Sequence, residues 1–262
     1  MSVFRLEKWY QDVVSVDGRA RIAYAARVDI GALTLHYASV LAIDGEHVRS
    51  AATLRGVTLP DADAPWRWRC ESLGLDVSIA LSAPPCAARI LDTPRGSIEW
   101  NCFAPRAHVV FRYGDDAIEG TGYAERLVMT LPPWALPWDR LRWGRAHAGD
   151  FVCVWIELDG TSGRSAWSFV DQRSPLLSSV DRDRLLTSDG DELLLDEHRT
   201  LRQGRLGETV LGIWSDAARL LPARILGVSE NKWLSRARME GAHGFAIHEE
   251  VTWPKAPLLT RV

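Results

Sequence analysis

Hydrophobic and polar residues form short apolar runs along the chain, and each run ends at turn residues. Two runs near the N-terminus, at 19–30 and 33–43, are rich in Val, Ile, Leu and Tyr. The dipeptides Asp17-Gly18 and Asp44-Gly45 border them, and Asp-Gly strongly favours a tight turn between antiparallel strands. Similar runs follow at 47–58, 66–70, 75–81, 88–91, 97–103 and 107–113. Many short strands at this spacing predict an all-β barrel or sandwich.

A second series of candidate strands begins near Gly120. Its members are 121–130, 140–147, 151–158, 165–170, 193–200, 208–214, 224–229, 231–239 and 244–252. The acidic, glycine-rich segment 113–122 separates the two series, so we predict two β domains, 1–118 and 119–262. The polar stretch 171–192 is predicted to be mostly turns, with a short helix at 180–186.

Composition narrows the class of protein. The chain has 262 residues, 47% hydrophobic and 25% charged, which is ordinary for a globular protein. A net charge of −3 argues against a broad basic surface for nucleic acid or an anionic membrane. Tryptophan, with 12 residues, outnumbers Phe with 6 and Tyr with 5. These rings either fill the core or form the wall of a cavity, and the sequence leaves both interpretations open.

The cysteines and the N-terminus indicate a compartment. The four cysteines form no C-x-x-C pair and no Cys/His cluster with zinc spacing, so no metal site is predicted. The first residues lack a basic patch followed by an apolar run, and no apolar stretch approaches the ~18 residues of a membrane span. We therefore expect a cytoplasmic protein with reduced thiols and no membrane span.

The densest group of chemically active side chains follows the predicted domain boundary. Strand alternation places Tyr123 and Glu125 on one face, and Trp143, Arg145 and His147 on one face of the next candidate strand. Because an unpaired buried charge is costly, Glu125 is expected to pair with Arg145 from a neighbouring strand. The pair is either structural, or Glu125 is a general acid in an aromatic pocket, with Tyr123 and His147 positioning or relaying the proton.

Two other histidine segments are candidates for a site. Near the C-terminus, His248 and Glu250 share one strand face, and Glu249 and Trp253 share the other. A surface histidine on an edge strand explains His248 most simply, whereas an inward Glu249 would need a partner.

The second segment contains His36 and Tyr37, and alternation does not decide which of them faces inward. A satisfied core or surface histidine is the favoured interpretation of His36. The chain has no Gly-x-Ser-x-Gly motif and no glycine-rich phosphate loop, so neither a hydrolase elbow nor nucleotide binding is supported.

The stretches Gly120-x-Gly122-Tyr123-x-Glu125 and Trp143-Gly144-Arg145-Ala146 are two motifs that resemble those of the carotenoid 1,2-hydratase (hydroxyneurosporene synthase) and AttH-like family. The first motif resembles the family's Gly-x-Gly-Tyr-x-Asp stretch, and the second resembles its Trp-x-Trp-Ser-Arg-Ala stretch. The matching residues are Gly120, Gly122, Tyr123, Glu125, Trp143, Gly144, Arg145 and Ala146. The segment 95–100 is similar to the link between the family's two halves, and the likeness is good over residues 90–160.

This resemblance implies two packed lipocalin-like β-barrels or half-barrels. It also implies hydration or cyclisation of an isoprenoid double bond by protonation without a cofactor, and fungal pericyclases look similar in architecture. Glu125 stands where the family has an acidic residue proposed as the proton donor. Here Glu replaces Asp and the chain is shorter than typical hydratases, which puts the carotenoid substrate in doubt more than the fold.

The sequence therefore favours a cofactor-free lyase or cyclase that acts on an apolar polyene, terpenoid or polyketide-like substrate. The predicted catalytic residues are Glu125 as acid, Arg145 to orient it, Tyr123 and His147. Predicted substrate-binding residues are Trp134, Trp138, Trp143, Trp155, His36, Tyr37, Glu249 and Trp253. A non-catalytic carrier of a hydrophobic small molecule is the alternative, because barrel mouths are natural ligand sites.

Overall fold

A computed structural model describes residues 4–161, 163–170, 173–205 and 223–254 of the chain. Within these ranges the chain is almost entirely β-strand, with a single-turn helix α1 (Ala223–Leu226) and 3₁₀ turns at Glu71–Leu73 and Pro133–Ala135. The prediction of an all-β fold is confirmed. No helix in the described part of the chain is long and apolar enough to cross a membrane.

Nine described strands form the first sheet. Their order is β4-β3-β2-β1-β9-β8-β6-β5, and β7 pairs with β8 away from this path. The strands are β1 (Phe4–Val14), β2 (Ala20–Ile30), β3 (Leu33–Asp44), β4 (His47–Thr53), β5 (Arg67–Cys70), β6 (Leu75–Leu81), β7 (Cys86–Thr93), β8 (Gly96–Tyr113) and β9 (Asp116–Met129). Antiparallel hairpins account for most connections, but β9 returns to pair with β1 as well as with β8.

The second sheet has eight described strands in the order β12-β11-β10-β17-β16-β15-β14-β13. They are β10 (Trp138–Ala148), β11 (Phe151–Gly160), β12 (Gly163–Val170), β13 (Leu177–Val180), β14 (Arg184–Thr187), β15 (Glu192–Arg205), β16 (Ser229–Met239) and β17 (Ala242–Thr252). As in the first sheet, where β9 pairs with β1, the last strand pairs with the first: β17 pairs with β10.

The chain forms two compact units. The first contains residues 4–132 with short pieces at 150–153 and 173, and the second contains the other described residues. The boundary predicted after residue 118 falls within β9, whose partners β1 and β8 are strands of the first sheet.

The central strands of the first sheet are buried on both faces. On β1, Trp9 and Val13 belong to the main apolar core, yet Tyr10 on the opposite face is only 1% exposed. Strands covered on both sides read as continuous apolar runs, as in the Ala-Tyr-Ala-Ala stretch of β2. This is why alternation alone did not identify an inward face.

Several predicted elements differ from the structure. The predicted strands 97–103 and 107–113 are one strand, β8, because register shifts around Ala104 let the ladder continue past Pro105, which has no N–H to donate. The predicted helix at 180–186 is wrong: Val180 pairs with Leu185 across a hairpin turn. The predicted strand 224–229 begins instead as α1, and 208–214 lies outside the described residues.

Candidate functional site

The carboxyl group of Glu125 lies buried in the first unit, held at one oxygen by two donors. The Tyr123 hydroxyl donates to Glu125 Oε2 at 2.6 Å, and the Trp100 indole N–H from β8 donates to the same oxygen. Glu125 is 6% exposed, and the other two residues are almost fully buried. Among the residues that the structure describes, the second oxygen, Oε1, has no hydrogen-bond partner. The carboxyl group is therefore oriented with one oxygen left for other chemistry.

Tyr123 remains a hydrogen-bond donor at neutral pH. Burial, followed by the neighbouring Cys102 and Glu125, raises the pKa of Tyr123 above its usual range. Burial is also the main reason that the pKa of the Cys102 thiol is raised. The Tyr123 ring packs edge to face against Tyr10, with centroids 5.8 Å apart. The side chains nearest Glu125 are therefore neutral donors and aromatic rings.

The two glycines of the first motif allow β9 to lie close to β1. A Cβ at Gly122 would overlap the carbonyl oxygen of Asp12, and one at Gly120 would overlap that of Val14. The Gly-x-Gly pattern is thus a packing requirement that brings Tyr123 and Glu125 to a buried position.

The strand relationship expected between Glu125 and Arg145 is wrong. Glu125 is on β9, between β1 and β8 of the first sheet, whereas Arg145 is on β10, between β11 and β17 of the second. Arg145 is fully buried and its guanidinium donates to the Phe245 carbonyl at 3.4 Å. Trp143, Arg145 and His147 are all buried, and so are Gly144, Ala146 and Ala148 on the opposite face of β10. The pairing of Glu125 with Arg145 stays a prediction.

A cavity of about 220 Å³ lies within the second unit. Three of the predicted substrate-binding residues, Trp143, Trp155 and Glu249, are among those that line it. The complete lining is Arg142, Trp143, Trp155, Val180, Asp181, Arg182, Asn231, Trp233, His248, Glu249 and Glu250. Aromatic rings and charged groups therefore share one space that can hold a small molecule.

The glycine of the second motif makes room for an aromatic wall of this cavity. A Cβ at Gly144 would overlap the ring of Trp155, which is 2% exposed. Gly144 also pairs with His248 in the β10–β17 ladder. The motif therefore places an indole beside an imidazole.

His248 is buried, so the interpretation of a surface histidine on an edge strand is wrong. It is 4% exposed, because β17 lies inside the second sheet between β10 and β16. Its ring centroid is 5.2 Å from that of Trp233 and 6.5 Å from that of Trp155. Burial is the main cause that lowers the pKa of His248 to about 3, and the nearby His198 adds to it. His248 is therefore neutral near pH 7.

Glu249 has the partner that an inward carboxylate requires. The ammonium group of Lys232, a residue 1% exposed, pairs with Glu249 and lies 3.9 Å from Glu230. The same ammonium lies 5.3 Å from the Trp143 ring centroid. This is a buried ion-pair cluster beside the cavity.

The remaining predicted substrate-binding residues do not line this cavity. They are His36, Tyr37, Trp134, Trp138 and Trp253. His36 is exposed on β3, and the other four are partly buried. Among described residues, no group of three or more His, Cys, Asp and Glu side chains is arranged to hold a metal ion.

The roles of Trp100 and Trp233 and the buried state of His248 were not predicted from the sequence. Each depends on which strand lies beside which. Trp100 reaches Glu125 only because β8 pairs with β9, and Trp233 faces His248 because the two residues are register partners. The high tryptophan content was the available signal, but it did not say which rings belong to a site.

Comparison with known proteins establishes the fold. No protein-family model matches the chain, and no curated protein matches it by sequence. A solved structure of a Nitrosomonas europaea protein assigned as AttH is similar at a TM-score of 0.58 and 12% identity, over 94% of this chain and 92% of that one. CghA is similar at a TM-score of 0.57 and 11% identity, over 97% and 89% of the two chains. CghA with Sch210972 is similar at 0.52 and 11% identity, over 95% and 88%.

At sequence identities this low, the structural similarity shows the fold alone. The chain has the two-sheet, lipocalin-like β fold of the AttH and CghA structures, as its resemblance to the carotenoid 1,2-hydratase and AttH-like family predicted.

Proposed function

We propose that the chain is a cofactor-free lyase or cyclase in which Glu125 protonates a carbon–carbon double bond of an unsaturated organic substrate. Polyene, terpenoid and polyketide-like molecules are the substrate classes that fit this chemistry. The observation that carries the proposal is the anchored carboxyl group. Two donors hold Oε2 of Glu125, and Oε1 has no hydrogen bond from the described residues.

The proposed reaction begins with proton transfer from Glu125 to one alkene carbon, which leaves a carbocation on the other. The Trp100 and Tyr123 donors stabilise the carboxylate that results, because both hydrogen bonds point at it before the reaction. Aromatic faces near the cation each contribute roughly 0.5–2 kcal/mol where the geometry is suitable. Water then adds to the cation, or a second double bond closes a ring, and the proton released returns to Glu125.

The comparison with CghA gives this proposal limited support. A similar fold has been solved with Sch210972, so the architecture accepts a small organic ligand in that protein. In this chain, the carboxyl group of Glu125 carries the proposal.

Replacement of Glu125 by glutamine tests the proposal. The amide keeps the shape of the side chain but cannot donate a carboxylic proton, so turnover should fall by about 10²-fold or more. Glu119→Gln is the matched control, because Glu119 is exposed on the same strand. Mass spectrometry over a panel of unsaturated substrates, with water addition or isomerisation as the readout, measures the effect. Unchanged turnover in the Glu125 variant would exclude it as the acid.

A non-catalytic carrier is the second candidate, and the tryptophan-lined cavity of the second unit favours it. If the chain is a carrier, binding of an apolar molecule would quench its tryptophan fluorescence, and the molecule would be released unchanged. In that case Glu125→Gln and Glu119→Gln should behave alike in binding, and no product should form.

A further inference from the structure

A continuous hydrogen-bonded chain of four side chains leads away from the cavity of the second unit. Ser235 Oγ lies 2.8 Å from His248 Nε2 and 2.7 Å from His198 Nδ1. The other ring nitrogen of His198 lies 2.7 Å from Asp183 Oδ1. Ser235 and His248 are buried, whereas the Asp183 side chain is 73% exposed. The chain therefore joins a cavity-lining imidazole to a solvent-exposed carboxylate.

A β-bulge directs His198 into this chain. The β15–β16 register shifts between Asp196 and Arg199, and Glu197 within the shift has a φ of 48°. A non-glycine residue in the left-handed region is strained, and bulges that redirect side chains are common beside functional sites. A regular ladder would not need this strain, and its result here is that His198 reaches Ser235.

For a neutral His198, the hydrogen-bond partners fix the positions of the protons. The Asp183 carboxylate is an acceptor, so His198 carries its proton on Nε2 and accepts the Ser235 hydroxyl proton at Nδ1. Ser235 Oγ then accepts the Nε2–H of His248. This leaves an unprotonated Nδ1 on His248, and no described residue hydrogen-bonds to that atom.

We propose that Asp183, His198, Ser235 and His248 form a proton relay that makes the cavity of the second unit a general-base site for a small, planar, conjugated carbon or oxygen acid. All four residues belong to the second unit, and the proposal does not depend on the function proposed for Glu125.

In the proposed step, His248 Nδ1 takes a proton from the ligand. The Nε2 proton of His248 passes to Ser235, and the Ser235 hydroxyl proton passes to His198 Nδ1. His248 ends neutral, and the positive charge lies on His198 beside the Asp183 carboxylate. The low pKa of His248, about 3, is consistent with this route, because the imidazole inside the cavity never has to stay charged. Exposed Asp183 lies where His198 can release the proton to solvent.

The cavity defines the ligand class. At about 220 Å³ it is smaller than the ~300–1,000 Å³ typical of drug-sized ligands, so a one- or two-ring compound fits and an extended polyene does not. The Trp155 and Trp233 rings beside His248 favour a flat, conjugated molecule. The Arg182 guanidinium lies 5.5 Å from the Trp233 ring centroid and makes no ion pair with a described residue, so it can meet the anion that deprotonation produces.

Ser235 acts in this scheme as a proton carrier and positioning residue. It is 1% exposed and is absent from the cavity lining, so it cannot attack a ligand there. The order of partners resembles a serine–histidine–aspartate triad, but of these four residues only His248 lines the cavity.

The probe that tests the relay is 5-nitrobenzisoxazole, a flat two-ring carbon acid. Removal of its ring C–H proton forms the nitrile as the N–O bond breaks, and the phenolate product is coloured. No cofactor or oxidant is needed.

We expect the full chain to accelerate this elimination more than an equal concentration of free imidazole does. His248→Gln should remove the acceleration, and Ser235→Ala should lower it at least ~10-fold. His243→Gln, at an exposed histidine on the same strand, is the control and should leave the rate unchanged.

The pH–rate profile distinguishes a proton relay through Ser235 from a purely structural role of that residue. With Ser235 replaced, His248 is the only base, and the midpoint of the profile should move down toward its pKa of about 3. A serine with only a structural role would change the rate but not the midpoint. The charged and titratable groups around His248 that both profiles share are His198, Lys232, Arg182, Asp183, Asp181, Arg142, Glu249 and Glu250.

Imidazole ¹⁵N NMR of the wild-type protein gives a test that needs no variant. His248 should carry its proton on Nε2 and stay neutral from pH 5 to pH 8, a window above its pKa of about 3. A His248 protonated on Nδ1, an elimination rate no higher than that of free imidazole, or a Ser235→Ala rate equal to wild type would each overturn the proposal.

Discussion

The indole of Trp155 lies against Gly144, in the space that a Cβ at that position would occupy. The two residues belong to β11 and β10, and Gly144 is the register partner of His248. A single missing methyl group thus allows an aromatic ring to form the wall of the cavity next to its histidine. This gives the glycine of the second motif a physical reason.

Gly144→Ala should displace the Trp155 ring and destabilise the protein by about 1–3 kcal/mol, the usual cost of overpacking. Denaturant unfolding measures the stability, and tryptophan fluorescence reports the ring. Trp155→Phe tests whether overlap with the Trp155 ring causes this loss, because the smaller ring leaves room for the new methyl group. In that background Gly144→Ala should cost less than it does in the wild type, and equal costs would show that the ring is not what the glycine accommodates.

Tyr123→Phe should lower the free energy of unfolding by about 1–2 kcal/mol, because it removes a 2.6 Å hydrogen bond to a buried carboxyl group. Tyr113→Phe is the matched control, since the structure gives the Tyr113 hydroxyl no partner among described residues. Urea unfolding of both variants gives the comparison. The hydrogen bond would be energetically unimportant if the two substitutions had the same effect.

The sequence predicted properties that depend on one strand and missed those that depend on strand order. Alternation places Tyr123 and Glu125 on one face wherever β9 lies in a sheet, and this was correct. The strand next to β9 is set by closure of the sheet onto β1, so the expected neighbour, β10, was wrong. The same limit applies to His248, which reads as an edge residue until β17 is seen between two strands.

The relay residues illustrate a second limit of prediction from sequence. His198 was within a predicted strand, and a regular strand would not have been expected to bring it to Ser235. The register shift at Glu197 changes its direction, and no local pattern of apolar residues indicates such a shift. Turn positions were more predictable, because Asp17-Gly18 and Asp44-Gly45 need a specific backbone conformation that their residue types supply.

Lys232→Met should destabilise the second unit by about 3–5 kcal/mol, because it removes the buried ammonium group that pairs with the Glu249 carboxylate, whereas Glu230 keeps its ion pair with Arg202. Lys232→Met combined with Glu249→Gln should recover part of this loss, since one uncompensated charge is removed. Lys8→Met, at a partly buried lysine, is the control and should cost less than about 1 kcal/mol. Thermal and urea unfolding of the wild type, Lys232→Met, Glu249→Gln and the double variant measure the coupling, with Lys8→Met measured beside them. Additive effects of the Lys232 and Glu249 substitutions would contradict a direct ion pair.

Stability should fall as the pH is lowered from 6.5 toward 3, because of His248. Its pKa in the folded protein is about 3, whereas an unfolded histidine has a pKa of about 6.5. Between these values the unfolded chain binds a proton that the native protein does not, so acid favours unfolding. The difference in the free energy of unfolding amounts to about 3 kcal/mol between pH 7 and pH 4.

The aspartates whose pKa values are lowered, such as Asp44 and Asp76, act in the same direction only near and below pH 4. Urea unfolding at pH 7, 6 and 5, above the range in which these aspartates contribute, therefore isolates the histidine. His248→Gln should flatten the dependence in this window, whereas His36→Gln, at an exposed histidine, should leave it unchanged. A His248 variant that keeps the wild-type slope would show that His248 is not the group responsible for the acid sensitivity.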